Sequence, residues 1–374
     1  MSELFIQNTA GLAPFYLSLE NTGDVISTVT STTRISESST GERFFVKENG
    51  QEYQQLSLLQ ACGVPVPKTI ALNTEASQFA SIASGEPLPE RLQDVDARNG
   101  LLTRAGQTLH DIHRVLNDSI WPSSATAQTY ANTSHIADCF FYKFIGRQED
   151  MTLDEYRAHK GNEDVSPDNR ELVSSGQFVE LSETYGTPLR RLVTQMNDIG
   201  DTFIKRLEPH CKSYGPQPNL QPKSYLTIVD TDICYGDFKP ENIVVDEEGA
   251  ITVLDPIITQ GSKYFDLAKF TARTLIDVWP DQISLKPFFE GYGLLPTEEI
   301  KVYGPLSFSD LVCMDMLNIL KTYTKRYRSG DTSYRITAQL GNPDFCDDMS
   351  ALLAKLMHVT STAEFDNTVL AKGC

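Results

Sequence analysis

The chain has 374 residues, 40% of them hydrophobic and 22% charged, a composition that builds a core without covalent staples and excludes both a disulfide-framed miniprotein and extended disorder. Fifty acidic residues against 32 basic ones leave a formal charge of −18. That balance repels phosphate backbones and anionic lipid heads, so neither nucleic acid nor a membrane surface is expected as a partner.

The seven cysteines are odd in number and none stands in C-x-x-C spacing, which fits free thiols in a reducing compartment. No basic residue precedes Arg34 and no run approaches about 18 apolar residues, so the expected location is the cytoplasm.

Residues 1–48 have strand composition at Phe15–Leu19, Val25–Thr30 and Arg43–Lys47, with turns expected at Asn21–Asp24 and Ser39–Gly41. Residues 49–62 read as a helix: Tyr53, Leu56 and Leu59 recur every third position, and Gly63 stands where a left-handed stop belongs. Val64-Pro65-Val66-Pro67 forbids further helix, and strands are expected near 69–72 and 78–83. The turn at Ser84-Gly85-Glu86-Pro87 divides a small β-rich part, 1–84, from a larger, mostly helical part, 85–374.

In the larger part, Leu101, Leu102, Ala105, Leu109, Ile112 and Leu116 share one helix face, and Thr187-Pro188 opens a second helix with an apolar stripe from Leu189 to Leu207. Met196 on that stripe reads as core filler. His110 and His113 lie three apart on a helix with no third metal ligand, and read as exposed or core histidines. The acidic stretch from 148 to 177 reads as a solvated segment or, alternatively, a substrate lid.

The segment from Ile233 to Phe270 carries the chemistry. An apolar strand end leads into Gly236-Asp237-Phe238-Lys239-Pro240-Glu241-Asn242, followed by two short strands, 243–245 and 251–254, joined through Asp246-Glu247-Glu248-Gly249. Asp237 and Asn242 are five apart, and Asp255 follows thirteen residues later. Folding the hairpin back sets Asp255 beside Asn242. Two oxygen ligands from neighbouring strands, completed by substrate phosphates, are a way to hold Mg²⁺, and they leave Asp237 for an acceptor hydroxyl. This is the spacing of a D-x-x-x-x-N catalytic loop with its metal aspartate.

Gly236-Asp237, Asn242, Leu254-Asp255-Pro256 and Asp266-Leu267-Ala268 together resemble the aminoglycoside phosphotransferase and choline kinase-like family of the protein kinase-like superfamily. That family usually has His-Gly-Asp, where this chain has Tyr235. The resemblance implies an α+β, two-lobed protein kinase-like fold, with 1–84 as the nucleotide-binding lobe and 85–374 as the catalytic and acceptor-binding lobe.

It further implies ATP or another nucleoside triphosphate and Mg²⁺ as cofactors, and a small-molecule hydroxyl as acceptor. Asp237 is then the catalytic residue, and Asn242 and Asp255 are the metal ligands. Lys47, ending Phe44-Phe45-Val46-Lys47, would position the nucleotide phosphates, held by Glu52 of the following helix, with Glu48 and Glu42 as alternative partners. The adenine would lie near Phe79 to Gly85. Lys239 neutralises the transferring phosphoryl group or is an ordinary loop residue, and Asp266 ties the catalytic loop. A G-x-G-x-x-G loop is absent.

Competing readings are a Ser/Thr protein kinase, suggested by Asp-Phe-Lys-Pro-Glu-Asn, and a silent nucleotide-binding pseudokinase. Against the former, Pro256 follows Asp255 where Phe-Gly belongs, and only eleven steps separate Asp255 from Asp266, too few for an activation segment.

Overall fold

In a computed structural model of the chain, the structure describes residues 3–6, 15–27, 32–38, 43–72, 78–82, 85–118, 187–207, 211–212, 225–226, 232–279, 283–294, 301–303, 306–328 and 335–358. The acidic 148–177 stretch and the Ser39–Gly41 turn lie outside these residues.

In chain order the strands are β1 (Glu3–Ile6), β2 (Phe15–Ser27), β3 (Thr32–Ser38), β4 (Arg43–Lys47), β5 (Lys68–Ala71), β6 (Phe79–Ile82), β7 (Glu86–Pro87), β8 (Cys211–Lys212), β9 (Tyr225–Leu226), β10 (Asp232–Cys234), β11 (Ile243–Val245), β12 (Ile251–Val253), β13 (Thr259–Gly261), β14 (Lys301–Tyr303) and β15 (Leu306–Ser307). The helices are α1 (Gly50–Ala61), α2 (Leu88–Arg91), α3 (Val95–Asp118), α4 (Thr187–Leu207), α5 (Lys263–Asp277), α6 (Lys286–Tyr292), α7 (Phe308–Arg328), α8 (Arg335–Gln339) and α9 (Pro343–His358). They fall into two compact units, Met1–Ala97 with Glu241–Ile258, and Arg98–Pro240 with Thr259–Cys374.

The first unit is sheet-rich. Six antiparallel strands run in the order β1-β2-β3-β4-β6-β5. Phe44 and Val46, two apart on β4, are buried, as are Phe79 of β6 and Leu56 and Leu59 of α1, so a period of two meets a helical stripe. Asn49 caps α1, its side chain accepting the Glu52 N–H at 3.1 Å, and Gly63 leaves the helix at φ +79°.

A second, three-stranded sheet, β12-β11-β7, completes the unit. It is joined to the segment after α1 by the Val253 N–H, which donates to the Pro65 carbonyl at 2.8 Å.

One expectation fails here. Asn21–Asp24 is not a turn between strands but an irregularity inside β2, which pairs with β3 on both sides of it. The long pairing with β3 absorbs the extra residues as a bulge. Thr32–Ser38, which had no strand signal, forms the partner strand.

The second unit is mainly helical. The apolar face of α3 is buried through Leu102, Ala105, Leu109, Ile112 and Leu116. On α4 the stripe from Leu189 through Met196 to Phe203 is buried, and Met196 is core. Helix α3 lies close to α6, because Gly106 has no side chain: a Cβ there would fall on the Phe288 carbonyl oxygen and 2.8 Å from the Tyr292 nitrogen. Phe270 of α5 stacks on Phe288 at 4.1 Å between ring centroids, and Phe238 packs against Phe270. The loop at 235–239 therefore rests on an aromatic floor.

Candidate active site

Within the first unit, the strand-to-helix step at 47–52 builds one cluster. Strand β4 ends at Lys47, and the Asn49 cap turns the chain so that Glu52 falls in the first turn of α1, where a carboxylate suits the helix dipole. The Lys47 ammonium donates to Glu52 Oε1 at 2.7 Å and also to Asp255 Oδ1. Glu52 is buried.

Burial alone would lower the Lys47 pKa, but the carboxylates of Asp255 and Glu52 outweigh it and hold the amine above its ordinary value. Burial lifts the Glu52 carboxyl, and Lys47 pulls it back. The alternative partner Glu48 instead faces Arg34, at 3.9 Å, and is exposed. Glu42 lies outside the described residues.

The hairpin β11–β12 brings the two expected metal ligands to one end. The Leu254 N–H donates to the Asn242 carbonyl at 2.7 Å, one step beyond the paired residues Ile243 and Val253. Asn242 is buried, whereas the Asp255 side chain is about half exposed, at 47%. Asp255 has φ +52° and is the one non-glycine residue with positive φ among those described. Such a backbone costs about 1–3 kcal/mol in a residue other than glycine. Among the described residues no group of three or more His, Cys, Asp or Glu is placed to hold a metal ion.

Asp237 belongs to the second unit. Its loop follows β10 and turns at Gly236, φ +84°. Asp266, fully buried in the first turn of α5, accepts the Tyr235 N–H on Oδ2 and the Gly236 N–H on Oδ1, both at 2.8 Å. His113 of α3 lies 2.9 Å from Asp266 Oδ2 through Nε2 and 2.9 Å from the Tyr292 hydroxyl through Nδ1. A carboxylate only accepts, so Nε2 carries the proton. Burial, with Asp266 nearby, pushes the Tyr292 phenol well up, so it remains a hydroxyl. Asp266 is thus a tie for the loop, and His113 is a buried structural histidine. His110 is half exposed.

The Asp237 carboxylate lies between two ammonium groups. Lys239 donates to Oδ2 at 2.7 Å, and Lys269 of α5 donates to Oδ1 at 3.0 Å and to the Gly236 carbonyl at 2.7 Å. Burial would raise the Asp237 pKa, but Lys269 and Lys239 overturn that and hold it well below the ordinary carboxylate range. Lys269, against the effect of its own burial, is held above its usual value by Asp237 and by Asp315 of α7.

Sequence reasoning did not single out Lys269. The signal was present: it lies three residues after Asp266, hence on the same helix face.

No family model matches the chain, and no curated protein does. Among solved structures it is similar to a choline/ethanolamine kinase family protein from Mesorhizobium loti, at 13% identity over 94% of this chain and 92% of that one, with a TM-score of 0.45. It is also similar to a choline kinase from Streptococcus pneumoniae, at 13% identity, 89% and 93% coverage and a TM-score of 0.46. An AMP-bound spectinomycin phosphotransferase shows 13% identity, 85% and 90% coverage and a TM-score of 0.46.

Among the described residues no helix is long and apolar enough to cross a membrane.

Proposed function

We propose that the protein is a small-molecule kinase, which transfers the γ-phosphoryl group of ATP, or of another nucleoside triphosphate, to a hydroxyl. The observation that carries this reading is the ionic cluster of Lys47, Glu52 and Asp255, with Asp255 held at φ +52° beside Asn242 on one hairpin end. A partly buried cation braced by a buried helix glutamate and reaching an aspartate at positive φ is a costly arrangement for stability alone. It suits phosphate binding. On this reading the two units are the two lobes of a kinase-like fold.

Asn242 and Asp255 are hard oxygen donors that flank the two strands of one hairpin, and this donor set fits Mg²⁺. The metal, when bound, neutralises charge on the nucleotide phosphates. Lys47 contributes its fixed positive charge to the α- and β-phosphates, and Glu52 keeps its side chain aimed.

Asp237 accepts the hydrogen bond of the acceptor hydroxyl and orients its oxygen for in-line attack. With its pKa held low by Lys269 and Lys239, Asp237 is a weak base in the ground state. It takes the proton late, once the new P–O bond has acidified the hydroxyl. That order suits a loose phosphoryl-transfer transition state. A cationic acceptor, such as an aminoglycoside or an amino alcohol, fits the formal charge of −18.

The test is MgATP consumption against a panel of hydroxylated amines and neutral alcohols. Turnover with at least one, falling roughly 10²–10⁴-fold in Asp237→Ala while nucleotide affinity is kept, is the expected result. Near-normal turnover in Asp237→Ala contradicts the assignment. Phosphorylation of generic protein substrates alone would favour a protein kinase.

A further inference from the structure

We propose that Lys269 is a positioning residue for Asp237: from α5 its ammonium bridges the Gly236 carbonyl and the Asp237 carboxylate, and so fixes the carboxylate's direction within the loop. The bridge is made of two bonds, 2.7 Å to the carbonyl and 3.0 Å to Oδ1. Both bonds start from one atom on a fifteen-residue helix whose first turn also supplies Asp266.

Lys239 differs in kind. It donates to Oδ2 at 2.7 Å, but it stands two residues from Asp237 on the same loop and moves with it. Asp266 fixes the loop's N–H groups at Tyr235 and Gly236, whereas Lys269 fixes its carbonyl and its functional side chain. Together they hold the loop from one helix face, which gives the reacting carboxylate the rigid support that a loop lacks.

Asp237 is faced by Lys239 from its own loop and by Lys269 from α5. Lys269 is faced in addition by Asp315 of α7 and by Asp266 of its own helix, and Asp266 is engaged by His113. Removing the Lys269 charge takes away one of the cations that face Asp237, on a loop that is then no longer pinned at its carbonyl. Its carboxylate then titrates closer to the ordinary range and samples more than one direction.

The kinetic part of this inference rests on the phosphoryl-transfer reading, but the titration part does not. The full-length protein, carrying ¹³C at aspartate side-chain carboxyls, is titrated from neutral pH to below about pH 4, the ordinary midpoint of a free aspartate. The Asp237 signal is the one missing from Asp237→Asn. In the unsubstituted protein it is expected to remain ionised throughout. Lys269→Met, of similar length, is expected to bring its midpoint up into the titrated range, and Lys269→Arg is expected to keep it below that range.

An ordinary midpoint for Asp237 in the unsubstituted protein overturns the proposal whether or not the variants fold. An unchanged curve in a folded Lys269→Met overturns it too. With MgATP and the best acceptor of the panel, or water where none is found, Lys269→Met is expected to lose roughly ten- to hundredfold in kcat with KM for ATP within about twofold, and Lys269→Arg to recover most of it. Equal losses in the two variants overturn the positioning role. Absence of MgATP turnover in every form, together with the expected titration, refutes the kinase reading and upholds the Lys269–Asp237 coupling.

Discussion

Replacing Asp266 by asparagine removes one charge and exchanges one oxygen for an amino group without altering the volume of the side chain. No cavity term enters. The carboxylate accepts three hydrogen bonds, from His113 and Tyr235 on Oδ2 and from Gly236 on Oδ1, in a fully buried position. An amide turned to keep the two Oδ2 donors sets its amino group against the Gly236 N–H, donor facing donor. That orphaned group costs about 1–3 kcal/mol, and the two remaining bonds lose about 0.5–1 kcal/mol each with the charge. The total, about 2–5 kcal/mol, is a large share of the roughly 5–15 kcal/mol that holds a domain folded. Trp279 belongs to the second unit, so its fluorescence in a urea titration reports the unfolding of that unit. At a slope of about 2–3 kcal/mol per molar, the midpoint should fall by about 0.7–2.5 M with the slope unchanged. A fall below about 0.2 M would show that Asp266 does not tie the loop.

Gly106→Ala forces a methyl group onto the backbone of α6, which cannot yield as a side chain would, and should cost about 3 kcal/mol or more by the same urea titration. An unchanged midpoint would mean that α3 and α6 are not in close contact. Burial pushes the Cys313 thiol well up and the Cys346 thiol up to about 12, so neither supplies thiolate at neutral pH, whereas Cys62 is only partly buried at the end of α1. Iodoacetamide labelling followed by peptide mapping should therefore mark Cys62 well before Cys313, Cys346 or the buried Cys234 in the folded protein. Comparable rates would contradict the packing of α7 and α9.

Much of the helical part was legible because periodicity survives in a single sequence. The stripe from Leu101 to Leu116 is buried as one face, and Gly63 takes the left-handed conformation its position called for. The hairpin that follows Asn242 and returns to Asp255 was legible because a hairpin has few ways to close. Strand β3 was not: Thr32–Ser38 is polar on both faces, with Thr33 and Ser36 buried despite their hydroxyls, so neither alternation nor apolar content announces it. The Asn21–Asp24 irregularity has turn chemistry, and only pairing with a later strand decides that the chain continues through it. His113 was read as an exposed or core histidine and is core, but its bond to Asp266 was not legible, because that partner lies 153 residues away in the chain. Lys269 shares a helix face with Asp266, yet its bonds to the 236–237 loop join residues more than 30 apart, which a single sequence does not display.

The make-up of the first unit bears on how the chain is born. Its sheet edge β7 and the Pro65 carbonyl find their partners on the hairpin at 241–258, yet residues 98–240 must leave the ribosome before that hairpin exists. The nascent amino-terminal segment therefore waits with an open strand edge while the following stretch is translated, the situation in which unpaired edges recruit the wrong neighbour. Completion of one unit is thereby made conditional on synthesis well into the other, so a prematurely terminated product would lack the hairpin that closes the first unit.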